Sequence, residues 1–175
     1  MISAELLLGL VLLLVGFAFF CNGMTLLGKT GAKEVGVLNL AVGIIISIAA
    51  WQLHGLGLTG ATALISVFAL IYFMVAGIFT HGFDGKGLGW FCLFGTVVFA
   101  WYGYDFFTAG LTYLSLFCFS WAVLVFFAWT ALALGKATAT LTAYLFIVES
   151  VLTLLIPGML LLTEKWHPFG GVPGG

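Results

Sequence analysis

Six apolar runs divide this chain, and each is long enough, or nearly so, to cross a bilayer as a helix, which takes about 20 residues. They cover about Leu6–Leu27, Val35–Leu53, Ala61–Phe79, Leu88–Tyr104, Leu111–Leu134 and Leu141–Leu162, the fourth being the shortest. Gly, Lys and Asp residues mark the breaks between them. Only 6% of the residues are charged and 63% are hydrophobic, with a mean hydropathy of +1.28. A soluble domain carries about a quarter charged residues. The sequence therefore describes an all-α integral membrane protein, with one compact six-helix transmembrane domain over residues 1–163. Residues 164–175 are rich in Gly and Pro and read as a frayed tail. The first run lacks a basic leader and an obvious cleavage site, so it reads as a retained helix rather than a signal peptide.

Charge sets an orientation and excludes some functions. Lys29, Lys33, Lys86 and Lys136 fall in three loops that each contain Gly-Lys (28–29, 85–86 and 135–136). The opposite side holds Glu5, Asp105, Glu164 and Lys165. Positive residues stay on the cytoplasmic side, so both termini are expected outside. The Gly-Lys loops recur at roughly 50–57 residues, which suggests a two-helix hairpin used three times, as in many transporters. The plainer account is that lysine suits any helix C-terminus. Without a single arginine and with net charge −1, the chain offers no basic surface for nucleic acid.

No catalytic set is visible. His54, His81 and His167 lie in loops or the tail, far apart in sequence. Cys21, Cys92 and Cys118 sit inside apolar runs and read as buried thiols. Phosphate loops, dinucleotide fingerprints and metal-ligand spacings are absent, so neither a cofactor nor a metal is expected. An ATP-driven pump is excluded on the same ground.

What remains are helical faces and one acid. Leu12, Val15, Phe19 and Asn22 form a stripe on the first helix that ends in an amide. Phe68 and Tyr72 stand one turn apart on the third; Phe117, Trp121 and Leu124 share a face of the fifth; Thr142, Glu149 and Thr153 share one on the sixth. For each aromatic the simpler account is helix packing or lipid contact. For Asn22 it is an interhelical hydrogen bond. Glu149 is different. It lies near the middle of its span, and no Lys or His is expected at that depth. A carboxylate at mid-membrane costs roughly 2.5–3.5 kcal/mol on insertion scales and usually marks a pathway. It either holds a proton or touches water or substrate. Pro157, two turns on, should kink the sixth helix and free a carbonyl in the preceding turn.

The stretches LLGLVLLLVGFAFFCNG (Leu7–Gly23), VLNLAVG (Val37–Gly43), FALIY (Phe68–Tyr72), SWAVL (Ser120–Leu124) and IVESVLTLLIPG (Ile147–Gly158) resemble, in order, those of the AmiS/UreI family of short-chain amide and urea channels. The resemblance implies six transmembrane helices, a two-helix hairpin repeated three times around a pore in each protomer, and hexameric rings with lipid filling the centre. It implies a bacterial inner-membrane protein with both termini outside. It implies that Val15, Phe19, Phe68, Tyr72, Trp121 and Leu124 line constrictions and that Asn22 and Glu149 give polar contacts near them. The permeant would be urea, acetamide or a similar small neutral amide. Two departures stand out. The outer loop after the second helix is short, with one histidine (His54), which argues against acid gating. The residue one turn after Trp121 is Val125, where the acid-gated urea channel of the family has a second tryptophan. Two other classes fit the same helices: a proton-coupled carrier with Glu149 as its proton site, and a non-transporting scaffold.

Overall fold

A computed structural model describes residues 3–168. Helices run from Ala4–Leu26 (α1), Ala32–Gly55 (α2), Thr59–His81 (α3), Lys86–Thr108 (α4) and Thr112–Leu132 (α5). The sixth crossing, Ala139–Leu162, is built from Ala139–Glu149 (α6), a π-helical stretch at Ser150–Leu155, and Ile156–Leu162 (α7). All six crossings have the length and apolarity to span a membrane. The fourth crossing has 23 residues and is not the shortest, because α4 runs on through Asp105 and stops only before Gly110, whose φ of 77° is left-handed. The fifth, with 21, is shorter. Two of the histidines expected in loops are helical: His54 closes the last turn of α2 and His81 the last turn of α3.

Three tight helix pairs make the bundle: α2 with α3, α4 with α5, and the sixth crossing with α1. Contacts of α1 with α2, α3 with α4 and α5 with α6 close these pairs into a ring. The repeated unit is thus the pair joined at the lysine-free end, and the Gly-Lys loops link one unit to the next. The two lysine-free turns are built alike. In one, Gly57 donates to the His54 carbonyl at 2.9 Å and Leu58 to that of Leu53 at 3.0 Å. In the other, Gly110 donates to Phe107 at 3.1 Å and Leu111 to Phe106 at 2.8 Å. Both glycines take left-handed backbone, which closes the helix end. The third pair has the same helix ending but no following helix: Glu164 donates to Leu161 at 3.1 Å and Lys165 to Leu160 at 2.8 Å. There Glu164 takes the left-handed position, φ 55°, that glycine takes in the other two.

Glycines set how closely the pairs approach. Gly9, Gly16 and Gly23 recur every seventh residue along α1 and face the sixth crossing. A methyl group on Gly23 would stand 2.8 Å from the Ala143 carbonyl, and one on Gly9 2.9 Å from Leu161 Cβ. Gly16 lies against the π-helical stretch, 3.3 Å from the Ser150 carbonyl by the same measure. Small residues let backbones meet where lipid supplies no hydrophobic drive between helices. Gly36 and Gly43 do the same on α2 against Thr80 and Phe73.

The carbonyl expected to be freed ahead of Pro157 appears as a widened helix. Proline has no N–H and its ring crowds the carbonyl one turn back. The chain answers with six π-helical residues, and the Ile156 N–H reaches back five residues to Val151. Such widenings turn the following side chains out of the α-helical register.

Beyond the spans, the described part of the tail packs on the bundle. Trp166 meets Tyr113 and Phe117 edge-on, at ring distances of 6.4 and 6.2 Å. His167 Nδ1 lies 2.8 Å from Glu5 Oε2. Residues 169–175, where most of the Gly and Pro of the tail lie, are outside the described residues.

Candidate functional site

Side chains from five of the six crossings meet at one level of the bundle in a layer of rings. Phe68 on α3 packs edge-on against Trp121 on α5, 5.1 Å and 85° apart. It also packs against Phe99 on α4 at 4.9 Å and Phe19 on α1 at 6.0 Å. Phe19 in turn meets Phe146 on α6 edge-on at 4.9 Å. Edge-to-face contacts of this kind fix ring orientation as well as bury area.

A cavity lies on each side of this layer. On the lysine side is one of about 180 Å³, walled by residues such as Phe19, Val75, Leu88, Val125 and Phe146. Its polar wall groups are Asn22 and Thr142. On the far side is one of about 60 Å³, walled by residues such as Leu12, Val15, Ile65, Trp121 and Leu154. Phe68 lines both. Neither wall carries a charged side chain. The two form an hourglass whose waist is aromatic.

Five of the eight residues singled out in the sequence line a cavity: Val15, Phe19, Asn22, Phe68 and Trp121. Tyr72 and Leu124 are fully buried one turn toward the lysine side of Phe68 and Trp121, and line neither. Tyr72 stacks on Phe68 at 6.5 Å and 18°, and its hydroxyl is buried without a hydrogen-bond partner. Glu149 lines neither cavity. It is buried at the last residue of α6, where its Oε2 accepts from Ser120 Oγ at 2.9 Å. One residue along α5, the Trp121 indole N–H donates to Thr153 Oγ1 at 2.8 Å, and Thr153 donates to the Glu149 carbonyl at 2.9 Å. The face Ser120-Trp121 is thus pinned to Glu149 and Thr153 across two crossings, and the π-helical stretch places Thr153 for that bond.

Three residues of the site have no counterpart in the sequence reading. Phe99 and Phe146 belong to the ring layer, but nothing separates them from the other phenylalanines among 18. Asn39 on α2 is fully buried and pairs with Asn22. Its signal was present, an amide inside an apolar span, and the interhelical bond expected for Asn22 is the one made to it. Among the described residues, no group of three His, Cys, Asp or Glu side chains is placed to hold a metal ion.

Three comparisons bear on this arrangement. The model of the AmiS/UreI family transporters matches residues 7–165. A Rhodococcus erythropolis protein named as transporter protein AmiS2 is 30% identical, over 94% of this chain and 83% of that protein. A Mycolicibacterium smegmatis protein described as an amidate substrates transporter is 29% identical, over 91% of this chain and 78% of its own length. Among solved structures, the Helicobacter pylori urea channel in its closed state superposes with a TM-score of 0.77 at 25% identity, over 91% of this chain and all of that one. A crystal structure of the same channel gives a TM-score of 0.80 at 24% identity, with 91% of this chain covered.

Proposed function

Because the chain belongs to the AmiS/UreI family, and is therefore a multi-pass membrane transporter rather than an enzyme, we propose that it is a passive channel for urea, acetamide and similar small neutral amides. The observation that carries this reading is the hourglass: two uncharged cavities that meet at a waist of Phe19, Phe68, Phe99 and Trp121.

The physics of such a waist selects by charge first. An ion entering it loses its hydration with nothing to replace it, and that cost is prohibitive. A planar neutral amide can slip edgewise between ring faces. Its desolvation costs a few kcal/mol unless hydrogen bonds replace those to water. Asn22 in the lysine-side cavity and the Glu149 carboxyl behind the waist are the polar groups we assign to that task, with Tyr72 supplying a hydroxyl. Val15, Phe19, Phe68 and Trp121 are the walls, with Leu124 buried one turn beyond Trp121. Contacts that are few, weak and spaced out permit fast flux.

We assign the lysine-side cavity to the cytoplasmic end, from the lysine distribution, and both termini to the outside of a bacterial inner membrane. A homohexamer is the assembly the family resemblance implies. We further propose that acid does not gate the channel. The link between α2 and α3 is only residues 56–58, and it holds no histidine.

Stopped-flow light scattering on proteoliposomes tests the reading, with urea and then acetamide as permeant at pH 7 and near pH 5. Fast flux of both at both values is expected. Glu149→Gln should lower that flux well below wild type in a protein that still folds; unchanged flux removes Glu149 from the path. The proton-coupled carrier reading turns on the same residue, and accumulation above equilibrium driven by a pH gradient would replace ours with it.

A further inference from the structure

Asn22 and Asn39 form a reciprocal amide pair between α1 and α2. Asn22 Nδ2 donates to Asn39 Oδ1 at 3.0 Å, and Asn39 Nδ2 donates to Asn22 Oδ1 at 2.7 Å. The second Asn39 N–H goes to the Val35 carbonyl one turn back, at 2.7 Å. That last bond fixes the orientation of both amides. A carbonyl only accepts, so the nitrogen of Asn39 must face Val35, and Asn22 must then present its oxygen to that same nitrogen.

A side-chain amide offers two N–H groups and two oxygen lone pairs. Asn39 has spent both N–H groups, is fully buried and touches neither cavity. Asn22 has spent one of each and lines the larger cavity. It keeps one N–H and one lone pair. The other polar group on that wall, the Thr142 hydroxyl, already donates to the Thr138 carbonyl at 2.9 Å. The pair with Asn39 takes the amide edge on which N–H and C=O point the same way, so the free N–H and the free lone pair lie on opposite flanks of Asn22, and that N–H is an uncommitted donor in the wall of an otherwise apolar chamber.

We propose that Asn39 is a specificity-determining positioning residue: it clamps the Asn22 amide so that its free N–H is held for the C=O of a carboxamide or urea in that cavity. Asn39 acts through Asn22 and never touches the permeant. The clamp removes the rotation that binding would otherwise have to freeze, so the contact forms at low entropic cost. A hydroxyl oxygen is a weaker acceptor than an amide carbonyl, so glycerol gains less from it. The inference rests on the amide-channel reading and deepens it.

Asn39→Thr is the informative variant. Threonine in a helix can bond back to the carbonyl one turn earlier, as Thr25 and Thr142 do here, so Val35 stays satisfied while the pair with Asn22 is lost. In proteoliposomes, urea and acetamide flux should fall about fivefold relative to glycerol flux, the loss of roughly one neutral hydrogen bond. On an Asn22→Thr background the same change should add nothing. A merely structural role would lower the melting temperature and move all three solutes together. An unchanged amide-to-glycerol ratio in a folded Asn39→Thr protein, or in Asn39→Ser should threonine prevent insertion, overturns the inference. Absence of amide flux in the wild type would instead overturn the channel reading itself.

Discussion

The pair α2–α3 and the pair formed by α1 with the sixth crossing use one design to different ends. Both are antiparallel, both close on a left-handed residue at the end away from the Gly-Lys loops, and both bring helices close with glycines every seventh residue. The α2–α3 pair is regular along its length and turns through Gly57. The other pair is open at the turn, and its sixth crossing is widened into a π-helix beside Gly16 and Gly158. It also carries Glu149, Thr153 and Asn22. Irregularity and most of the buried polar side chains thus collect in the pair that no loop ties together, and the regular pairs hold it in shape. A helix that needs no register with a covalent partner can absorb an extra residue in its turn; a hairpin pinned by a three-residue turn has less room to do so.

The contrast is tested most strongly at the glycines. A methyl group at Gly158 would stand 2.9 Å from the Leu13 amide nitrogen and 3.0 Å from the Gly9 carbonyl, both backbone. Gly158→Ala therefore forces two helices apart and should cost about 1–3 kcal/mol, read as a lower melting temperature of the purified protein in detergent. In the regular pair, Gly43→Ala meets the edge of the exposed Phe73 ring at 2.9 Å, and that ring can swing away. It should cost less than half as much. Equal losses would mean the two interfaces are equally tight.

A second effect separates the hydroxyls. Thr153→Val leaves the buried Trp121 indole N–H without its acceptor, a cost of about 1–3 kcal/mol, and should slow urea flux as Trp121 loses its tether. Thr62→Val in the regular pair removes a hydroxyl that bonds only the carbonyls of Ala50 and Leu58. Flux measured on that variant should match wild type. A flux loss in both would assign the effect to packing in general.

The smallest effect lies at the open end. Glu5 accepts from His167 and thereby raises the His167 pKa above the ordinary imidazole value. The tie is whole below that ordinary value and is lost as pH rises through the raised one. Hydrogen exchange at the first turn of α1 should therefore quicken as pH is raised past that point, beyond the intrinsic base-catalysed rate. His167→Gln should abolish that extra step, and the regular pair should show no counterpart.

Much of this contrast was hidden in one dimension. The six crossings were legible because apolar length is a local property of the chain, and the Gly-Lys period pointed to three units. Which helices pair within a unit was not legible, since Gly9, Gly16 and Gly23 show a stripe but not what it faces. Pro157 announced a disturbance; that it takes the form of a π-helix depends on Gly16 leaving room. Val15, Phe19, Asn22, Phe68 and Trp121 were readable as helical faces, and all line a cavity. Phe99, Phe146 and Asn39 were not, because their roles come from neighbours on other helices. His54 and His81 were misplaced as loop residues because a polar residue at a helix end looks the same as one just beyond it.

The contact of Glu5 with His167 sets the two ends of the described chain side by side at the turn where the third pair is open. In packing terms the molecule is a closed circle cut once, and the cut falls at one of three like turns. The order of helices along the gene is then a separate matter from the order around the ring: a chain begun after Gly57 or after Gly110, with Glu5 and His167 bridged by a short linker, describes the same circle.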